Sequence, residues 1–146
     1  MIKTFRDEYA FLSNFTLLEK PYVYQKISYP TIEHFYQAMK TKDKRVRLDI
    51  ANHPLKGLKG YAKSVTALRE DWEDIKVRVL ITGTRYKYSE ANPTLRKKLL
   101  DTGNQPIQEG NYWGDTYWGV SLKDGKGLNT LGRILMEMRE YIIKNS

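Results

Sequence analysis

The sequence predicts a mainly α fold of the α+β class, with a small β element near the N-terminus. Apolar residues recur at helical spacing in several long segments, whereas the region from Phe5 to Tyr29 is rich in Tyr, Phe and Val and interrupted at Pro21. Of the 146 residues, 40% are apolar and 29% are charged, which is typical of a globular protein with one core. We therefore expect one compact domain spanning residues 1–146.

The N-terminal region predicts two short strands or extended pieces around a turn at Pro21. Thr31 follows them and can cap a helix that we expect to run to about Lys42, because its hydroxyl can accept a hydrogen bond from an early backbone N–H.

Two further helices are predicted in the middle of the chain. The first begins near Asp71, where acidic residues complement the helix dipole, and its expected core stripe is Ile75, Val79, Thr82 and Tyr86. Asn92 and Pro93 end it and start the second helix, with Asn92 as the cap and Pro93 as the first helical residue. Gly103 suits the left-handed position after that helix.

The segment from Gln105 to Gly127 contains five glycines among aromatic and polar residues, which predicts a long irregular loop. Long ordered loops in small domains are often functional, so this loop is a candidate site. A last helix is expected from about Leu128, with a core seam of Leu128, Leu131, Leu135, Met138 and Ile142.

Composition excludes several classes of site. The chain has no cysteine, so disulfides, thiolate nucleophiles and cysteine zinc sites are excluded, and a reducing cytoplasm fits. His34 and His53 are too few for a histidine-rich metal site, and we expect no metal and no cofactor. No apolar run is long enough to cross a bilayer and no secretory signal is evident, so we expect a soluble cytoplasmic protein. The net charge of +8 favours a phosphorylated or nucleic-acid ligand, although it can equally reflect a solvated surface.

The segment T-I-E-H-F-Y-Q-A-M-K contains a first polar constellation. Glu33, Gln37 and Lys40 fall on one helical face, while Ile32, Phe35 and Met39 fall on another. The first face can be a substrate-facing stripe. It can also be an ordinary solvated face, with Glu33 and Lys40 complementing the helix dipole, and from the pattern alone we favour this second interpretation.

A second constellation lies in E-G-N-Y-W-G-D-T-Y-W-G. Its carboxylates, Glu109 and Asp115, can supply an acid or a nucleophile, and Trp113 or Trp118 can stack on a base. The alternative is that the tryptophans fill the core and the acids stabilise turns.

A third group is basic and suits a phosphate, although it is equally typical of solvated surface. It comprises Lys40, Lys42, Lys44, Arg45, Arg47, Lys56, Lys59 and Lys63. P-loop, Rossmann and common serine-hydrolase motifs are absent.

Five segments, in order, resemble the NADAR family, also called YbiA-like. They are F-L-S-N-F (11–15), T-I-E-H-F-Y-Q-A-M-K (31–40), L-R-E-D-W-E-D-I-K (68–76), G-D-T-Y-W-G (114–119) and G-L-N-T-L-G-R-I-L-M-E-M-R-E (127–140). The resemblance implies a YbiA-like fold and an N-glycosidase that acts on a phosphorylated ribosyl or ADP-ribosyl nucleotide-like substrate. Riboflavin-pathway intermediates and ADP-ribosylated guanine are both substrates in that family.

The resemblance also implies site residues. Glu33, Lys40 and Asp115 are the expected catalytic residues, and we expect them to share one pocket; Asn14, Trp72 and Trp118 are the expected substrate-binding residues. The helix face and the basic group add Gln37 and Lys63 to the expected substrate-binding residues. Lys63 lies where family members carry an arginine-containing segment. The alternatives are a non-catalytic module that binds ADP-ribose or nucleic acid, and an interaction protein that uses the C-terminal helix as its contact surface.

Overall fold

The computed structural model describes residues 1–146. The chain forms two compact units, one of Asn14–Pro93 and one of Met1–Ser13 with Thr94–Ser146. The expectation of one domain over 1–146 stays a prediction, and the two units are described in turn. None of the helices is both long and apolar enough to cross a bilayer.

The unit Asn14–Pro93 begins with an antiparallel hairpin of β1 (Leu17–Tyr24) and β2 (Ile27–Thr31). Gln25 and Lys26 form the turn, both with positive φ (48° and 69°), which suits the twist of a two-residue hairpin. The predicted break at Pro21 is wrong, because Pro21 lies inside β1. It is tolerated there because the strand register shifts between Leu17 and Tyr22, where the pairing is irregular.

Helix α1 (Ile32–Ala38) begins as predicted, since the Thr31 hydroxyl accepts a hydrogen bond from the His34 N–H at 3.1 Å. It ends four residues before the predicted end at Lys42. The N–H groups of Lys40 and Thr41 bond to the carbonyls three residues earlier, which tightens the last turn and stops the helix.

Two helices in the basic region were not predicted, namely α2 (Lys44–Ala51) and α3 (Leu58–Val65). The side chain of Asp43 caps α2 by accepting hydrogen bonds from the N–H groups of Arg45 and Val46. Each helix buries two apolar residues among its lysines and arginines, namely Ile50 and Ala51 in α2 and Leu58 and Ala62 in α3. So few apolar positions among many charges did not indicate a helix in the sequence.

Helix α4 (Trp72–Lys87) begins next to Asp71, as predicted, but the predicted core stripe is displaced. Ile75, Val79 and Tyr86 are only half-buried and Thr82 is exposed, whereas the buried residues are Trp72, Leu80, Gly83, Thr84 and Lys87. A Cβ on Gly83 would lie 3.2 Å from the Phe35 ring and 3.3 Å from Ile32. The absence of a side chain at Gly83 therefore lets α4 approach α1 closely, and this contact sets the buried face.

Helix α1 contributes to the centre of the core of this unit. The Phe35 ring lies 4.9 Å from the Tyr22 ring and 5.7 Å from the Tyr29 ring, both at edge-to-face angles. The buried cluster around it consists of Ile27, Tyr29, Phe35, Ala38, Met39, Ile50, Ala51, Leu58, Ala62 and Trp72. Helix α1 contacts α2, α3, α4 and both strands of the hairpin.

The other unit contains a 3₁₀-helix (Asp7–Leu12), most of α5 (Pro93–Asp101), two-residue parallel strands β3 (Gly110–Asn111) and β4 (Val120–Ser121), and α6 (Thr130–Lys144). Pro93 starts α5 and Gly103 (φ 66°) follows its end, as predicted. The seam of α6 is confirmed for Leu131, Leu135, Met138 and Ile142. It is wrong for Leu128, which precedes the helix and is 58% exposed. The mainly helical α+β class is confirmed.

Candidate functional site

Glu33 lies in the first turn of α1 and is only 4% exposed. Its carboxylate Oε2 accepts a hydrogen bond of 2.7 Å from the side-chain amide of Gln37, one turn later. Its backbone N–H donates to the carbonyl of Asn14 at 3.0 Å. The interpretation of Glu33 and Gln37 as a solvated face is therefore wrong, because both side chains are buried.

Burial sets the protonation of Glu33. It raises the pKa of the carboxyl, because removal from water disfavours the charged form. The hydrogen bond from Gln37 and the positive charges of Lys59 and Lys40 oppose this effect. Glu33 thus keeps its proton to higher pH than a free carboxyl does, as a general acid requires.

Lys40 lies in the turn that follows α1 and is half-buried. Its Nζ lies 5.4 Å from the ring centroid of Tyr36 and 5.9 Å from that of Trp72, and these two rings meet edge to face at 5.1 Å. Burial lowers the pKa of Lys40, while Glu33 raises it and Lys59 lowers it further. The lowered pKa increases the fraction of neutral amine, which is the nucleophilic form.

Helix α3 brings positive charge to the carboxyl of Glu33. The exposed Lys59 acts on the pKa values of both Glu33 and Lys40, and its Nζ lies 5.1 Å over the ring of Phe15, the neighbour of Asn14. Lys63 follows one turn later on the same helix and is exposed. Lys59 belongs to the basic group that the sequence offered as a phosphate site, but its position near Glu33 and Lys40 was not predicted.

Trp72 is 4% exposed and belongs to the core cluster. Its ring contacts Tyr36 and the ammonium of Lys40, so it packs the core and borders the polar face at the same time. Tyr36 is a second aromatic neighbour of Lys40 and is half-buried. The sequence pattern did not single it out.

Asp115 and Trp118 lie in the other unit, in the irregular loop. Asp115 Oδ1 accepts hydrogen bonds from the N–H groups of Tyr117 (3.1 Å) and Trp118 (2.9 Å). The carboxamide of Asn111 bonds to both the N–H and the carbonyl of Asp115. This carboxylate therefore stabilises a turn, as the alternative interpretation proposed, and both it and Trp118 are half-buried.

The irregular loop is ordered by close packing. A Cβ on Gly119 would overlap the carboxylate and carbonyl oxygens of Glu109, so only glycine fits there. Asn129 holds the loop from outside, since its side chain accepts from the Glu109 N–H and donates to the Ile107 carbonyl, each at 2.9 Å. Apart from β3 and β4, the loop has no regular strand or helix, as predicted.

A family model described as the NADAR domain matches residues 2–143. The chain belongs to the NADAR domain family. This match includes both units and confirms the resemblance carried by the five segments.

The relatives of this NADAR chain include proteins named N-glycosidase YbiA. Those of Escherichia coli (strain K12) and Shigella flexneri are each 34% identical to it over 138 residues, which is 93% of this chain and 83% of the relative. An NMR structure of the E. coli protein YbiA superposes with a TM-score of 0.81 at 31% identity, covering 99% of this chain and 88% of the other. The expected YbiA-like fold is confirmed. The expected enzyme class, a hydrolase that acts on N-glycosyl bonds, is confirmed as well.

A further relative has a different name. The riboflavin biosynthesis protein PYRR of Zea mays, a chloroplastic protein, is 32% identical over 131 residues, covering 80% of this chain but 20% of that protein. This NADAR chain therefore corresponds to a small part of the PYRR protein.

Of the predicted site residues in the unit Asn14–Pro93, Glu33 and Gln37 lie on one face of α1 and Lys40 lies in the turn after it. The carbonyl of Asn14 accepts a hydrogen bond from the Glu33 N–H. Lys63 lies on α3, and Trp72 contacts Lys40 from the core side. The catalytic and binding roles of all these residues, and of Asp115 and Trp118, stay predictions.

Proposed function

We propose that this NADAR chain hydrolyses the N-glycosidic bond of a phosphorylated ribosyl or ADP-ribosyl nucleotide-like substrate, with Glu33 and Lys40 acting on the sugar. The observation that carries the proposal is a buried carboxyl on α1, Glu33, whose pKa is raised, together with a half-buried amine in the turn after α1, Lys40, whose pKa is lowered and is influenced by the charge of Glu33. Opposed shifts in neighbouring groups are typical of acid and base chemistry in one site.

Glu33 can act in either of two states on the reacting sugar. As an acid, it donates its proton to the leaving nitrogen while the C1′–N bond breaks with its electron pair going to the base. As a carboxylate, it stabilises the positive charge that develops at C1′. In both cases, water adds to C1′ and completes the hydrolysis. The hydrogen bond from Gln37 keeps the carboxyl in one orientation throughout.

Lys40 offers a covalent route. Its neutral Nζ can add to C1′ of the ring-opened ribose, the base leaves with a proton, and water then hydrolyses the resulting imine. Of the proposed catalytic residues, only Lys40 has the amine that this route needs. Reduction with borohydride during turnover would attach the sugar to Lys40 permanently and distinguish this route from direct attack by water.

The remaining parts of the substrate match other side chains of the chain. Lys59 and Lys63 are exposed on one face of α3 and supply positive charge for a phosphate or pyrophosphate. Trp72 or Trp118 supplies a surface on which a base can stack. Asp115, through the turn it stabilises, sets the position of Trp118 in the loop.

Two substrates are the candidates, namely a riboflavin-pathway intermediate and ADP-ribosylated guanine. The riboflavin-pathway intermediate is supported by the name of the PYRR relatives, of which this chain spans only a small part. The net charge of +8 supports the larger, more anionic ADP-ribosylated nucleic acid.

The decisive experiment incubates the chain with each candidate and measures the released base and sugar phosphate by chromatography. Glu33→Gln is the test variant, and Glu137→Gln, on the exposed side of α6, is the matched control. We expect release from one candidate, loss of release in the test variant and normal release in the control. Tight binding of both candidates without release of any base would instead favour the non-catalytic binding module.

A further inference from the structure

The turn that follows α1 carries Lys40, and its three successive carbonyls are all bound by arginine residues. The Met39 carbonyl accepts a hydrogen bond from Nη1 of Arg69 at 3.4 Å, and the Lys40 carbonyl accepts one from the Arg69 backbone N–H at 2.9 Å. The Thr41 carbonyl accepts one from Nε of Arg47 at 2.8 Å. Met39, Lys40 and Thr41 follow the last helical residue, Ala38, so their carbonyls lie outside the hydrogen-bond ladder of α1. These donors hold the backbone on both sides of Lys40.

Arg69 is itself fixed by Asp71. Its Nε and Nη2 donate to the two carboxylate oxygens of Asp71 at 2.6 and 3.0 Å, which is the bidentate geometry that orients a guanidinium best. Asp71 directly precedes Trp72, whose N–H donates to the Arg69 carbonyl at 3.2 Å. The same arginine is therefore bonded to the backbone of Lys40 and to the backbone of Trp72, whose ring Lys40 contacts.

We propose that Arg69 is a positioning residue for Lys40, because it ties the turn after α1 to the start of α4. The proposal rests on the role of Lys40 in the proposed function. Arg47 secures the far side of the same turn and is itself oriented by a hydrogen bond of 3.0 Å to the side chain of Gln25. Neither arginine is among the residues that the sequence resemblance singled out.

The position of the Lys40 amine depends on this turn. Its Nζ is at the end of a flexible stem and is faced by the carboxyl of Glu33 on α1, the ammonium of Lys59 on α3, and the rings of Tyr36 and Trp72. Release of the turn lets the stem sample more directions and brings water to the amine. A displacement of this kind slows a chemical step more than it weakens substrate binding.

The first test compares Arg69→Gln and Arg69→Lys with Arg78→Gln, an exposed control on α4 that is not part of this network. For Arg69→Gln, we expect kcat to fall about tenfold while KM changes less than about twofold, as for a misplaced catalytic group. Arg69→Lys keeps one donor and should recover part of the rate. Arg78→Gln should behave as the unchanged chain.

The second test reads Lys40 without using activity. The rate at which acetic anhydride acetylates Lys40 is measured by peptide mass spectrometry at several pH values. Only the neutral amine reacts, so the pH at which this rate is half its maximum reports the titration of Lys40. We expect the midpoint to move upward in Arg69→Gln, because the amine becomes hydrated, and to stay in place in Arg78→Gln. Asp71→Asn keeps one of the two acceptor oxygens and should produce a smaller shift in the same direction.

Unchanged kcat together with an unchanged labelling midpoint in Arg69→Gln would overturn the proposal. If Arg69→Gln does not fold, Arg69→Lys and Asp71→Asn are judged by the same two criteria. If the unchanged chain releases base from no substrate, the proposed function fails, and the labelling midpoint then decides the role of Arg69 by itself.

Discussion

Glu33→Gln tests the proposed chemistry most directly, because it replaces one atom of a buried side chain and preserves its shape. Glutamine at position 33 can still accept the hydrogen bond from Gln37 through its amide oxygen. The substitution removes the negative charge and the exchangeable proton. Proton transfer by a positioned side chain contributes about 10²–10⁴-fold to a rate, so we expect kcat to fall by that factor, or about 3–5 kcal/mol in the barrier.

The same substitution should leave the fold stable. In the unfolded chain, the carboxyl titrates near its ordinary pKa of 4.5, whereas burial raises that pKa in the folded protein. Between these two values, the folded protein holds more protons, so the stability contributed by Glu33 falls as pH rises. Glu33→Gln removes this dependence. The difference in melting temperature between Glu33→Gln and the unchanged chain should therefore shift in favour of the variant as pH rises from 4 towards neutrality. The weaker hydrogen bond from Gln37 offsets part of the gain, by about 1 kcal/mol.

The assay measures product release and melting temperature on the same preparation, with Glu137→Gln as the control. If Glu33 served only the helix dipole, its loss would cost about 1 kcal/mol or less of stability and leave turnover nearly unchanged. Near-normal turnover in Glu33→Gln would therefore refute the reasoning. Lys40 and Asp115 would then become the pair to test.

Three other predictions follow from the burial of particular side chains. Lys40→Met should abolish trapping of the sugar by borohydride and lower kcat, while Lys97→Met, at an exposed position of α5, should change neither; trapping that persists in Lys40→Met excludes the covalent route. Trp72→Ala should lower the free energy of unfolding by about 3–5 kcal/mol, because Trp72 is 4% exposed. Trp118→Ala should weaken substrate binding more than it lowers stability. Calorimetry will measure the stability of both variants, and titration with substrate will measure their binding. Burial lowers the pKa of Lys87 from 10.5 to about 7, so stability should rise between those pH values by up to about 5 kcal/mol. The free energy of unfolding of Lys87→Met, measured by denaturant titration at several pH values, should not show this rise. An equal dependence of stability on pH in both proteins would contradict the burial of the ammonium.

Local features of this fold were predictable wherever the cause lies within a few residues. Thr31 caps α1 with its own hydroxyl, Pro93 starts α5 and Gly103 takes a positive φ after it, because each effect depends on one side chain and its neighbours. The core stripe of α4 was misassigned because its buried face depends on the approach of α1 at Gly83, which periodicity does not reveal. The helices α2 and α3 were missed because a few apolar residues, covered by other elements, are enough to bury one side of a charged helix.

The sequence by itself determined the family, the helical class and the alignment of Glu33 and Gln37 on one side of a helix, since these follow from motif order and from 3.6 residues per turn. It did not determine whether that side faces water. The tertiary structure covers α1 on both faces, brings Lys59 near Glu33 from α3, and ends the helix before Lys40, in a turn bound by Arg47 and Arg69. Burial and neighbouring charge determine a pKa, and both depend on residues that are distant in the chain. For that reason, the shifted pKa values of Glu33 and Lys40 are a property of the folded protein and not of their spacing.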